Sequence, residues 1–175
     1  MTVEMALFWT VWAAVVLFVA AEAGKSGAPA AGLRWPLVAS FAGAALLAVH
    51  VAIAMDVRHA WDHSSAVRAI SEQSRAVYGV GWTGGIWMNY LFLGAWTAET
   101  SWWAAAPRSY SDRPRSFIVL TRAFYAVMLV NAAVVFAAPS RRPAGAALMA
   151  VLFWHWRHTL SGPRQQTHAA FDARI

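Results

Sequence analysis

Cysteine is absent from this chain of 175 residues, which excludes disulfide bonds, iron–sulfur clusters, cysteine-ligated zinc and thiolate-ligated haem. Charged residues are also scarce, at 13% of the total. The sequence contains no phosphate-binding glycine-rich motif, no H-E-x-x-H and no G-x-S-x-G. Hydrolytic and nucleotide-dependent chemistry are therefore disfavoured, and any metal has to be held by His, carboxylate, Met or Asn.

Apolar side chains are abundant instead. They make up 59% of the sequence, whereas an ordinary soluble domain has about 45–50%. Eleven tryptophans in so short a chain are typical of rings placed between hydrocarbon and water. The net charge of +6 comes from basic residues scattered between apolar stretches, so it does not indicate nucleic-acid binding. The composition predicts a membrane protein whose first partner is the lipid bilayer.

The apolar stretches predict an all-α, polytopic helical bundle in one transmembrane domain over residues 1–175. A bilayer core requires about 20 mostly apolar helical residues. The fifth stretch is shorter than this, and re-entry into the membrane is its alternative. Between the second and third stretches lies an amphipathic segment at 64–78, which has a charged stripe at helical spacing. The five predicted spans are 3–21, 35–57, 85–103, 117–138 and 143–160.

The distribution of Lys and Arg predicts the orientation. If all five segments span, eight basic residues fall on the side of the C-terminus and five on the side of the N-terminus. This bias predicts a cytoplasmic C-terminus and an outside N-terminus, in the periplasm for a bacterial inner-membrane protein. The first span begins with Glu4 and no basic residue, which favours a retained helix over a cleaved signal peptide.

Ligand-type side chains crowd the end of the second span, where the sequence reads H-V-A-I-A-M-D-V-R-H-A-W-D-H from His50. On a continuous helix, Asp56, His59 and His63 stand at i, i+3 and i+7 and share one narrow face. Two imidazoles and a carboxylate are ligands for zinc, copper or non-haem iron. We expect a metal site there, with the adjacent Asp62 able to orient an imidazole. The alternative is that these are ordinary solvated residues of a helix end.

His50 belongs to a different predicted group. It lies seven residues before Val57, about 10 Å from the end of the span at ~1.5 Å per residue. Asn89 and Asn131 fall at a similar depth in the third and fourth spans, so the three predict a buried polar layer enclosed by the second, third and fourth helices. A polar residue inside a span is a functional hypothesis by default. The roles left open are haem or metal ligand, proton relay, and interhelical hydrogen bonding.

Two further pairs stand out. His155 and His158, at i and i+3 in W-H-W-R-H, are either a second ligand pair or interfacial anchors beside tryptophan. Glu99 and Arg122 are intramembrane charges near the same ends of their spans. Because an unpaired charge there is costly, they predict a structural ion pair.

These observations predict a small, redox-linked membrane protein with a metal or haem site at its outer face. The cofactor would be a transition metal, copper or iron, or haem b. One alternative is a non-catalytic accessory subunit that packs against other membrane subunits. The other is a small proton-coupled transporter that uses Glu99 and His50.

Overall fold

The computed structural model describes residues 2–25 and 34–161 of the chain. Those residues form helices and short connections without a β-strand, which confirms the predicted all-α fold. A π-helical segment, Asn131–Val135, continues the sixth helix, and a 3-10 turn, Pro139–Arg141, precedes the seventh. The helices are α1 (Val3–Lys25), α2 (Trp35–His59), α3 (His63–Tyr78), α4 (Gly85–Ala105), α5 (Pro107–Ser111), α6 (Arg115–Val130) and α7 (Arg142–Ser161).

Three segments of the described chain are long and apolar enough to cross a membrane: α1, α2 and the continuous stretch Arg115–Val135. Their length and composition suit a lipid bilayer. The predicted third and fifth spans also fold as helices, α4 and α7, but neither meets the same criterion of length and hydropathy. The count of five spans therefore stays a prediction.

Helices α1 and α2 run antiparallel along their whole length. Glu4 meets Arg58 at one end, and Trp35 packs against Gly24 at the other. We call the end that holds Glu4, His59 and the start of α4 the upper end, and the opposite one the lower end. Helix α4 packs on α2, and the stretch from α6 to Val135 packs between α4 and α7. The result is a bundle with polar side chains gathered at both ends.

The bundle core is built from interlocking aromatic rings. Phe18 makes edge-to-face contacts with Trp96 and Tyr125, at centroid distances of 5.0 and 5.4 Å. Trp96 fits because residue 43 is glycine, where a Cβ would come within 2.7 Å of the indole ring. The indole nitrogen donates to Ser40 Oγ at 3.0 Å. Aromatic packing with a satisfied polar atom thus fixes α1, α2 and α4 relative to one another.

Helix α2 ends at His59 because the chain turns sharply there. Ala60 and Trp61 adopt positive φ angles of 45° and 60°, and their amides bond back to the carbonyls of Asp56 and Met55. This is a left-handed C-terminal cap. Helix α3 begins at His63, with the Asp62 carboxylate accepting from the Ser64 amide at 2.8 Å. The predicted amphipathic segment is thus a separate helix that crosses the upper end of the bundle.

The π-helical segment lies beside α7 at the upper end. The Phe136 amide donates to the carbonyl of Asn131 at 2.9 Å, which is the wider i→i+5 spacing. Gly145 of α7 sits directly on the Ala133 carbonyl of this segment. The widened turn and the glycine together allow the two backbones to touch. Because π turns are often found at functional sites, the side chains around Asn131 are of interest for function.

Candidate functional site

The predicted triad of Asp56, His59 and His63 is not assembled on one helical face. The prediction required the second helix to continue through His63, but α2 ends at His59 and His63 is the first residue of α3. In the part of the chain that the structure describes, no group of three or more His, Asp or Glu side chains is placed to hold a metal ion. The shared face is thus wrong, and a metal bound there stays a prediction without geometric support.

Each member of the triad has a separate structural partner. Asp56 Oδ1 accepts from the indole of Trp61 at 3.0 Å, and His59 Nδ1 lies 3.2 Å from Ser65 Oγ. The ring of His63 packs against Trp87 and Tyr90, with centroid distances of 5.0 and 6.0 Å. These contacts hold the turn between α2 and α3.

A cavity of about 710 Å³ lies in the upper half of the bundle. Helices α1, α2, α4 and α6 form its walls, and α3 covers its upper end. Its lining is mostly aliphatic and aromatic, including Phe92, Trp96 and Phe124. No Lys, Arg, Asp or Glu is among the described residues that line it. Its size and apolar walls are those of a small-molecule site.

The three residues of the predicted polar layer, His50, Asn89 and Asn131, all line this cavity. They come from α2, α4 and the π segment, the continuation of α6. His59 lines it as well, although its spacing on α2 predicts a different face from that of His50. At 3.6 residues per turn, the lining residues of α2 thus extend over about half of its circumference.

His50 has one ring nitrogen fixed by α1. Its Nδ1 lies 3.0 Å from the carbonyl oxygen of Leu7 and 3.2 Å from Thr10 Oγ1. A carbonyl oxygen only accepts, and the Thr10 hydroxyl donates its own proton to Ala6 at 2.7 Å. Nδ1 therefore carries the hydrogen of the neutral imidazole, and Nε2 carries the lone pair. His50, a residue of the cavity lining, thus has Nε2 available as a hydrogen-bond acceptor or a metal ligand.

The two asparagines of the cavity differ in their partners. Asn131 Oδ1 accepts from the Tyr78 hydroxyl at 2.6 Å, which ties the end of α3 to the π segment. The Tyr78 ring also packs edge-to-face on Phe136, at a centroid distance of 5.9 Å. Within the described residues, the Asn89 carboxamide has no hydrogen-bond partner, so it is open to a ligand. Sequence reasoning missed Thr10 and Tyr78, because nothing in their own segments marks them as neighbours of His50 and Asn131.

The second predicted histidine pair lies elsewhere. His155 and His158 are in the lower half of α7, and neither is among the described residues that line the cavity. The ring of His158 packs on Trp154, with a centroid distance of 4.8 Å. This contact places His158 beside a tryptophan, which is compatible with the interfacial-anchor alternative. The choice between anchor and ligand pair stays a prediction.

The predicted ion pair between Glu99 and Arg122 is not formed. Among described residues, the cations near Glu99 are Arg113 at 3.5 Å and Lys25 at 4.0 Å. Arg122 instead donates to Thr159 Oγ1 at 3.0 Å. The prediction is wrong because α5 turns the chain back beneath α4, which places Arg113, and not Arg122, within ion-pair distance of Glu99.

The lower end holds a buried charge network that sequence reasoning did not identify. Glu22, only 6% exposed, accepts from the indole of Trp156 at 2.7 Å and from Lys25. Lys25 also donates to the Tyr110 oxygen at 2.9 Å, and the Tyr110 hydroxyl donates to Glu99 at 2.7 Å. Burial raises the pKa of Tyr110 to about 12, an effect that nearby Glu99 reinforces. The hydroxyl thus remains a donor at neutral pH. The sequence signal was Glu22 itself, an acid near the end of an apolar span.

Comparison with known proteins gives no relative for this chain. No family model matches it, and neither the curated proteins nor the solved structures contain a match.

Proposed function

We propose that this protein binds a neutral, mostly apolar small molecule, taken from the bilayer into the cavity between α1, α2, α4 and α6. The observation that carries the proposal is the cavity's composition: apolar and aromatic walls, no charged residue among the described lining, and a few convergent polar atoms. An ionic ligand would lose its hydration there without gaining a counter-ion. An apolar ligand with one or two polar atoms suits those walls.

The binding site would lie in the half of the bundle that faces the outer side of the membrane. This orientation rests on five spans, with α4 and α7 crossing, and on the bias of basic residues that the sequence predicts for the side of the C-terminus. Two of the eight basic residues counted on that side, Arg164 and Arg174, lie outside the described part of the chain. In a bacterial inner membrane the cavity would then lie in the periplasmic half of the bilayer.

Filling the cavity is expected to abolish ligand binding. Ala54 lines the cavity, whereas Ala52, two residues earlier on α2, is exposed and outside the lining. An uncharged photoactivatable aryl diazirine, incubated with protein in lipid nanodiscs, should label the cavity residues Phe124 and Met128. Ala54→Phe should reduce this labelling at least about tenfold, the effect of losing ~1.4 kcal/mol of binding free energy.

The Ala52→Phe variant adds the same ring to the same helix and serves as the control. Its cavity labelling should equal that of the unaltered protein, and labelling of the exposed residue Val38 should be constant in all three proteins. Cavity labelling no stronger than that of Val38, or unchanged in Ala54→Phe, would contradict the proposal.

Haem b is a second candidate occupant, favoured by one observation. The Nδ1 hydrogen of His50 bonds to a backbone carbonyl, which is how metal-ligating imidazoles are usually oriented. His50 Nε2 would then hold the haem iron, and the iron would supply the redox-linked function predicted from the sequence. Protein purified in detergent should show a Soret band and one iron per chain, and His50→Ala should lose both. Their absence from the unaltered protein excludes this candidate.

A further inference from the structure

The polar atoms of the cavity narrow the class of ligand, provided that the proposed binding function holds. Because the Leu7 carbonyl fixes the hydrogen of His50 on Nδ1, Nε2 can only accept a hydrogen bond or ligate a metal. Nε2 has no hydrogen-bond partner among the described residues. A ligand that leaves this acceptor unpaired binds less well, because a buried polar atom without a partner is costly. The ligand should therefore carry an O–H or N–H group.

The cavity walls add two further constraints. Phe92 packs against Trp96 and Phe124 at centroid distances of 5.8 and 6.3 Å, so this part of the wall consists of ring faces and edges. Such walls favour an aromatic ligand ring. The lack of charged residues in the described lining disfavours groups with carboxylates, including the propionates of haem. Carboxylates would meet only neutral side chains there.

Another polar group of the cavity, the Asn89 carboxamide, can form a hydrogen bond with a second oxygen of the ligand. The Asn89 carboxamide is unpartnered within the described chain and offers both a donor and an acceptor. It lies on α4, one of the helices that form the cavity walls. The volume of about 710 Å³ accommodates a substituted ring together with part of an apolar tail.

From these features we infer that the cavity binds a hydroquinone with an apolar tail, and that it prefers this reduced form over the quinone. The phenolic O–H of the hydroquinone donates to His50 Nε2. The quinone has a carbonyl oxygen at the corresponding position, and this oxygen cannot donate a hydrogen bond. Two acceptors, the quinone oxygen and His50 Nε2, would therefore face each other. The inference concerns binding of the reduced form and involves no electron transfer by this chain.

Competition between the two oxidation states tests the inference. Decyl-substituted benzohydroquinone and its quinone, each kept anaerobic, would compete with the aryl diazirine for labelling of the cavity in nanodiscs. The hydroquinone should compete at a concentration at least tenfold lower than the quinone. In His50→Phe, which keeps a ring but removes the acceptor, the two forms should compete equally. His158→Phe, a histidine outside the described cavity lining, should retain the preference.

The outcomes separate this inference from the proposed function. Equal competition by both forms in the unaltered protein, competition by neither, or a preference that persists in His50→Phe would each overturn the hydroquinone assignment. In all three cases, diazirine labelling that Ala54→Phe removes would leave the general binding function standing. If His50→Phe does not fold, the comparison of the two forms on the unaltered protein still decides.

Discussion

Replacing Gly145 with alanine is expected to lower the free energy of unfolding by about 3 kcal/mol, the upper part of the usual range for overpacking. A Cβ at this position would overlap the carbonyl oxygen of Ala133 in the π segment. The obstacle is backbone, which cannot rotate away as a side chain does. Helix α7 would have to move off the π segment, and the contacts between them would be lost. Thermal unfolding in detergent, followed by tryptophan fluorescence, measures the effect.

Gly94→Ala is the matched control for this prediction. Gly94 is also inside a helix, but apart from its chain neighbours and the backbone of its own helix, no described atom lies within 4 Å of the position that its Cβ would take. Because alanine is the better helix former, this variant should be unchanged or more stable by up to about 1 kcal/mol. Equal effects of the two substitutions would mean that helix propensity, and not the contact of α7 with Ala133, decides the result.

Glu22→Leu is expected to cost about 3–5 kcal/mol, the typical effect of removing one partner of a buried ion pair. Lys25 would lose the nearer of its two carboxylates, and the indole of Trp156 would lose its acceptor. The double variant Glu22→Leu/Lys25→Leu should recover most of the loss, since Glu99 keeps Arg113 as its partner. The free energy of unfolding of the unaltered protein and of both variants can be measured by SDS titration in mixed micelles.

Glu4→Leu removes one partner of a solvent-exposed ion pair and is the control for Glu22→Leu. Glu4 pairs with Arg58 at 2.8 Å, with side chains that are 75% and 53% exposed. Such a surface pair is worth at most about 1 kcal/mol, because water screens it. A loss in Glu22→Leu as small as in Glu4→Leu would show that the lower network does not stabilise the bundle. A double variant as unstable as Glu22→Leu would show that the unpaired ammonium is not the cause.

The three residues of the polar layer could be predicted from the sequence, but their arrangement around a cavity could not. Helical rise alone placed His50, Asn89 and Asn131 at one depth, and all three line the cavity. Helical rise could not indicate that Leu7 and Thr10 orient the His50 imidazole, because these contacts depend on the angle between α1 and α2. The cavity could not be predicted from the sequence either, because it is a space that the packing of four helices and the covering α3 leaves unfilled.

The sequence by itself determined the helical class and the apolar helices, because hydropathy and periodicity are properties of consecutive residues. Tertiary structure decided where α2 ends and which charges pair. Ala60 and Trp61 take left-handed conformations that residues other than glycine rarely adopt, so no local signal separated His63 from Asp56 and His59. Glu99 pairs with Arg113, and not with Arg122, because α5 folds back beneath α4. A partner that a turn of the chain brings close depends on tertiary packing and cannot be predicted from residue spacing.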